Sequence, residues 1–525
     1  MKKLALVAVA LISATTSNAV NVTSHTFFSV PPHFESWRPE RIALFRNGLL
    51  NQSPEVKSSA FQAVLFGSET TTDGSLKIAR FFLPGGCGTN CLNFKEFNPS
   101  NETDEPFATQ DNDPAKDVDA THFNIRTVNK NFLSSVCFYP EQKVFGIGLT
   151  YKQRLTAKCD GSTAFWFEAS APIERVQNSI CLVEDIINDG GGPITDQLGL
   201  DGSPVVGSVK EAFAQKNWLY GKIDNRCRLE KWGLADIELK IGYTSITYPD
   251  PRAEHCSLNS YFGIIIPTGS YVKNKYVFEP IIGNNGHFGV IAGNSIGFKT
   301  YRQGHLHVGF FLDTNTQYLF YNNQFRSFDL IGKPFSRYME TYNGPEEASI
   351  AFDNKLTASG TSGINVFSKC MRVHPHFSAN INSAVLATYI LENSTFVAEF
   401  GFNLYVRQSE AVEIINNGDI LNNVGLKAAT GLGGTNQART IKDNFPRATV
   451  QFDQSYVNVT DCAIDFESAA HPAVISHTAY ASLGYRRESD CPCFAAIGGS
   501  WEFTSRPINS AIERWTVWGK VGITF

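Results

Sequence analysis

Methionine is nearly absent, 3 residues in 525, and charge is sparse, 18% of the chain against 42% hydrophobic residues. Disorder and coiled coil both need a different balance and are excluded. Neither sign dominates, since 45 basic and 50 acidic side chains leave a net charge of −5 and a pI near 6.2. That balance lacks the basic footprint of nucleic-acid binding. Long apolar runs are missing too: past residue 19 no stretch approaches the ~18 consecutive apolar residues of a membrane-crossing helix.

The first 19 residues read as an export signal, with Lys2 and Lys3, an apolar run from Leu4 to Ile12, and the small-residue site Ser17-Asn18-Ala19 ahead of Val20. An anchor helix needs about 20 apolar residues, so cleavage near Val20 is expected instead.

In the mature chain, alternation of apolar with polar or small residues recurs in segment after segment, the period of a strand with two unlike faces. Ile237, Leu239, Ile241 and Tyr243 alternate with Asp236, Glu238, Lys240 and Gly242. Phe396, Ala398, Phe400, Phe402, Leu404 and Val406 alternate with Glu399, Gly401, Asn403, Tyr405 and Arg407. Phe145, Ile147 and Leu149 oppose Gly146, Gly148 and Thr150, and the run continues through Tyr151 and Lys152. A soluble sandwich also alternates, but these segments are about 9–14 residues long, where globular strands have ~5–6 and a tilted bilayer-crossing strand needs 9–11. The expected class is therefore all-β: a transmembrane antiparallel β-barrel of about 14 strands, within 12–16, with long loops and short helices in the connections.

The strands are expected at 57–67, 75–83, 142–155, 163–175, 233–248, 257–267, 287–301, 304–313, 317–326, 376–390, 395–408, 472–485, 491–504 and 510–525. Asp313-Thr314-Asn315-Thr316, Glu392 to Thr395 and Arg486 to Asp490 read as short periplasmic turns. Long connections are expected at 84–141, 176–232, 327–375 and 409–471. This count puts the first two on the periplasmic side and the last two outside, an imbalance that points to a miscounted strand in the first half. Short helices are read at Pro39–Arg46, Val209–Lys216 and Ala411–Leu421. The division is a signal at 1–19, a periplasmic or plug segment at 20–55, and a barrel at 56–525.

The chain stops inside a strand. Trp515, Val517, Gly519, Val521, Ile523 and the terminal Phe525 alternate with Arg514, Thr516, Trp518, Lys520, Gly522 and Thr524. Exposed as a free edge, such a strand is an aggregation hazard that closure removes. It resembles the C-terminal signature of Gram-negative outer-membrane β-barrels of the porin-like and transport-channel type. The resemblance implies that Trp515, Val517, Val521, Ile523 and Phe525 serve as the signal read by the barrel assembly machinery. It also implies an outer-membrane location among lipid partners.

A closed barrel has a lumen, and the polar faces assign Lys152, Arg154, Glu168, Glu174, Asp236, Glu238, Lys240, Lys299, Glu399, Arg407, Arg514 and Lys520 to its lining. A Lys or Arg facing lipid near the midplane costs ~2–4 kcal/mol, so so many charges of both signs must face inward. The expected function is a passive or substrate-selective diffusion channel for small solutes, not an enzyme and without cofactor or metal. The alternatives are a structural or adhesive cysteine-rich envelope barrel with an occluded lumen, and a secreted or viral β-rich glycoprotein motivated by the sequons at Asn21, Asn51, Asn101, Asn393 and Asn458.

Eleven cysteines in an exported chain point to disulfides, and the odd number leaves a thiol free or paired with an envelope partner; a homo-oligomer is the other assembly considered. Cys491-Pro492-Cys493 and Cys87 with Cys91 lack the second ligand pair of a zinc site. Gly293 to Gly297 matches a hydrolase elbow but reads on as a strand; Ser295 with His305, His307 and Asp313 is the one set that supports a barrel-lodged hydrolase. The acidic run Asp104 to Asp119 lacks the glycine and terminal Glu of a calcium loop and reads as solvated.

Overall fold

The computed structural model describes residues 24–29, 59–83, 90–96, 117–157, 163–196, 198–224, 228–247, 255–331, 335–343, 360–415, 421, 424–427, 456–458, 464–487, 492–504 and 511–525. The signal, the Pro39–Arg46 segment, Asp104 to Asp113, and Cys87, Cys159, Cys227, Cys462 and Cys491 lie outside them.

Twelve strands form the barrel: β1 (Ser59–Thr70), β2 (Glu141–Ala157), β3 (Thr163–Ser179), β4 (Ile237–Thr247), β5 (His255–Ile266), β6 (Gly289–Gln303), β7 (Leu306–Leu319), β8 (His376–Leu391), β9 (Ser394–Arg407), β10 (Val474–Arg487), β11 (Cys493–Phe503) and β12 (Arg514–Thr524). Each pairs antiparallel with its neighbours in sequence, an up-and-down meander. Leu229–Leu234, outside the ring, pairs with Ile173 to Asn178, the part of β3 that β4 leaves uncovered.

Closure is complete between the two ends of the chain. β1 and β12 pair continuously from Ala60↔Thr524 to Thr70↔Arg514, and Ser59 and Phe525 exchange backbone hydrogen bonds of 2.7 and 2.8 Å. With no free edge, every backbone donor and acceptor at membrane depth finds a partner within the sheet.

Twelve is the lower end of the expected range, and two misread segments account for the difference. The segment 75–83 belongs to helix α1 (Thr72–Phe82), started by the Thr71 hydroxyl accepting the Gly74 N–H at 3.0 Å. Its buried residues Gly74, Ile78 and Phe82 stand four apart, a helical stripe that a short window mistakes for alternation. The expected turn at Asp313 to Thr316 is the middle of β7: Asp313 and Asn315 are buried, so turn-forming residue types here are interior wall. Asn322–Ser327 pairs outside the barrel with Ser368–His374. Removing these two strands puts 84–141 and 176–232 at the same rim as 327–375 and 409–471, correcting their expected periplasmic placement. The other rim carries the short turns and the C-terminus. At Ala411–Ile414 a strand replaces the expected helix, whereas Val209–Phe213 is helical.

The long connections build a cap with its own apolar core, in which Phe28, Phe82, Phe94, Phe123, Phe213, Trp218 and Tyr338 are buried together. The β2–β3 hairpin continues into it as Leu133–Cys137 paired with Val183–Asn188. Cys91 and Cys137, opposite each other on adjacent cap strands, form a disulfide; Cys181, Cys370 and Cys493 are free thiols among the described residues. Ser24–Ser29 also belongs to the cap, so this part of the expected periplasmic or plug segment sits at the loop-side rim: Thr26 bonds Asn274, and Ser29 receives Arg407.

The outward faces are apolar. Leu65 on β1 is 51% exposed, level with Ile147 and Gly519 on its neighbours. Leu65→Arg is expected to destabilise the barrel by ~2–4 kcal/mol. Denaturant unfolding in detergent, followed by heat-modifiable migration, checks this; an unchanged midpoint would mean that this face does not meet hydrocarbon.

Candidate functional site

Each barrel strand turns one face inward. Aromatic rings on that face lie against glycines of the next strand: Tyr480 over Gly401, Trp166 over Gly242 and Phe494 over Gly522 leave no room for a Cβ. Glycine on the polar faces thus lets rings lie against the wall.

Of the residues expected in the lining, Lys152, Arg154, Glu168, Glu174, Asp236, Glu238, Lys240, Glu399, Arg407, Arg514 and Lys520 are all buried, none more than 8% exposed. Lys299 lies on β6, and its side chain is outside the described part. A wide water-filled pore would leave such side chains accessible, so the interior is packed at their levels. Trp515, Val517, Val521, Ile523 and Phe525 sit on the opposite, exposed face of the closing strand.

The register builds a charge ladder on one wall. Lys152 of β2 stands opposite Glu168 of β3, which stands opposite Lys240 of β4. Lys240 Nζ lies 2.5 Å from Glu238 and 3.4 Å from Glu168, while Lys152 Nζ lies 3.7 Å from Glu168 and 3.7 Å above the Trp166 ring. On β11 and β12, Glu502 accepts from Arg514 at 2.7 Å.

A second feature is a polar seam. It starts near the short-turn rim with Thr244 of β4, opposite Asn259 of β5, opposite Ser295 of β6. It continues through Asp313, Asn382 and Asn403 on β7, β8 and β9. It ends with Thr478, Glu502 and Arg514, the last being the first residue of β12 at the loop-side rim. Nine consecutive strands supply a hydrophilic residue each, and because tilted strands make a cross-strand row climb, the seam spirals from one rim to the other over roughly 38 Å. Hydrogen bonds run along parts of it: Thr244 donates to Asn259 at 3.2 Å, and Asn259 to Ser295 at 3.4 Å. Periodicity placed these residues on inward faces, but their alignment into one row depends on register, which no local window reveals.

Ser295, His305, His307 and Asp313 do not assemble as a catalytic set. Ser295 is level with Asp313, but His307 lies six residues down the same strand, roughly 20 Å away. His305 is in the turn before β7 and packs towards Tyr389 at 5.8 Å. Asp119 caps a turn, accepting the Thr121 N–H at 2.9 Å.

The exterior is apolar, the sheet is closed, and the interior carries the charges. The chain is a transmembrane β-barrel of the outer-membrane type. No family model matches it, and no curated protein does. Among solved structures it is similar to an outer-membrane channel from Pseudomonas putida F1, at 8% identity and a TM-score of 0.35, covering 90% of this chain and 98% of that one. The β domain of the Bordetella autotransporter BrkA matches at 6% identity and a TM-score of 0.32, over 90% of this chain and all of its own. A Pseudomonas aeruginosa FadL homologue matches at 10% identity and a TM-score of 0.27, over 96% and 98%. At this overlap none of their activities transfers to this barrel.

The cap meets the loop-side rim of the barrel through buried polar groups. Arg407 donates to His471 at 2.6 Å, and Arg326 pairs with Glu410 at 3.2 Å. Burial, reinforced by Arg337, holds the His25 imidazole down to about 3; burial holds His287 down to about 4; burial and then Arg407 hold His471 well below its ordinary value. Each titrates near 6.5 when unfolded, so the folded cap favours their neutral forms. Their contribution is complete above pH 6.5 and is withdrawn as pH falls towards 4. Asp465, raised to about 6 by burial and by Asp329, acts in the opposite sense, its contribution fading as pH rises from 3.8 to 6. Glu96 and Asp236, raised by burial, act as Asp465 does, but the histidines are displaced further from their ordinary values, so protease resistance of the cap is expected to fall between pH 6.5 and 4. Equal resistance at both ends of that range would contradict this.

Proposed function

We propose that this barrel is a substrate-selective diffusion channel for small polar solutes in the outer membrane of a Gram-negative bacterium. The observation that carries the reading is the polar seam linking the two rims. A barrel that served only as a scaffold could fill its interior with apolar side chains, and burying paired charges instead often brings no stability. The packed interior favours a narrow, selective path over a general pore, with the charge ladder beside it setting ion preference.

Conductance of the purified protein in a planar bilayer tests the proposal. Discrete steps of low conductance are expected. Silence, both for the native protein and for a variant with the ladder lysines Lys152 and Lys240 changed to methionine, would leave the second reading, a structural or adhesive envelope barrel, which the packing of the interior also favours. In either case the closing strand with Phe525 is the segment offered to the assembly machinery, and the exposed Cys370 and Cys493 are the thiols available to an envelope partner.

A further inference from the structure

Resting on the channel reading, we infer that the amide-lined stretch of the interior on β7, β8 and β9 is a recognition site for an uncharged, hydroxyl-rich solute of the size of a small sugar. Five amide side chains converge there. Asn315 stands opposite Asn380, Asn382 opposite Asn403, and Gln317 opposite Ser378. All five are buried to 3% exposure or less. Within the protein, Asn380 donates to Asn315 at 3.2 Å, Ser378 to Gln317 at 3.3 Å, and Asn382 to the Tyr480 hydroxyl at 3.2 Å.

Those bonds use only part of what the amides offer. The donors Asn315 Nδ2 and Gln317 Nε2, the acceptors Asn380 Oδ1 and Asn382 Oδ1, and both polar atoms of Asn403 have no hydrogen-bond partner among the described residues. Buried polar groups are nearly always bonded, and when the protein supplies no partner, water or a ligand does. Turning any amide over exchanges a free donor for a free acceptor without removing the vacancy.

The balance of free groups selects the ligand. An anion would use only the donors and a cation only the acceptors, whereas a hydroxyl donates and accepts at once. Of the carboxylates on this wall, Glu399 receives the Tyr480 hydroxyl at 2.8 Å and the Ser482 hydroxyl at 3.3 Å, and the buried Asp313 opposite Asn382 adds a negative charge that disfavours an anion. The ion-pair ladder lies across the barrel on β2 to β4. A cleft between cap and barrel, lined by Asn284, His287, Gln317, Ser378 and Tyr405, opens onto the loop-side end of the amides. This site makes the seam a solute-reading surface as well as a path.

Calorimetric titration of the detergent-purified full chain with maltose, and with glucuronate as a charged sugar, tests the site without requiring conduction. Maltose is expected to bind in the millimolar range and glucuronate at least tenfold more weakly. N382L/N403L is expected to weaken maltose at least tenfold while keeping heat-modifiable migration. Equal affinity for the two sugars in the native protein, or no maltose binding, overturns the inference whether or not the variant folds. Ion conductance without maltose binding overturns this site and leaves the channel standing; maltose binding in a silent barrel supports the site and removes the channel.

Discussion

Asp329→Ala is expected to loosen the cap while leaving the barrel folded. Asp329 and Arg337 are 1% and 0% exposed at their side chains and pair at 2.5 Å. The carboxylate also accepts the backbone N–H groups of Phe335 and Arg337 at 3.0 and 2.9 Å and the Ser24 hydroxyl at 3.2 Å. The Arg337 guanidinium in turn donates to Ser24, tying the N-terminal segment to the cap. Removing one member of a buried pair leaves the other charge without compensation, at about 3–5 kcal/mol. Barrel pairing runs through separate strands, so heat-modifiable migration should persist while external protease gains cleavage sites in the cap of intact cells. D329A/R337M, which removes both charges, should recover much of the loss. An Asp329→Ala protein as resistant as the native one would show that the pair does not hold the cap.

Lys240→Met is expected to change the interior most. Lys240 is buried between Glu238 and Glu168. Its replacement strips the 2.5 Å cation from Glu238 and makes the lumen one charge more negative. The same desolvation argument puts the cost at about 3–5 kcal/mol. If the channel conducts, the cation-to-anion permeability ratio should rise several-fold, since charge lining a narrow path sets selectivity. Lys240→Arg, which keeps the charge, should leave the ratio near its native value. Reversal potentials in a salt gradient measure both, and an unchanged ratio in Lys240→Met would place the ion path away from the ladder.

The seam and the ladder differ in how they could be found. Lys152, Glu168 and Lys240 announce themselves as charges on otherwise alternating faces. Asp313, and Asn315 beside the seam, do not, since the polar run Asp313 to Thr316 between apolar residues reads equally as a turn. What distinguishes them is the neighbour on the next strand, set by pairing partners far away in the chain.

The sequence alone determined strand faces, closure and membrane placement. Alternation is a local property of the extended backbone, and a strand with one apolar face and an open edge is an aggregation hazard that pairing removes. Only the tertiary structure decided the strand number, the common side of the long connections, the cap with its own core, and the alignment of polar residues into a spiral. Those depend on register, strand tilt and packing between distant segments, and Thr72–Phe82 shows the difference: its apolar residues fit either period, and burial against the cap selects the helix.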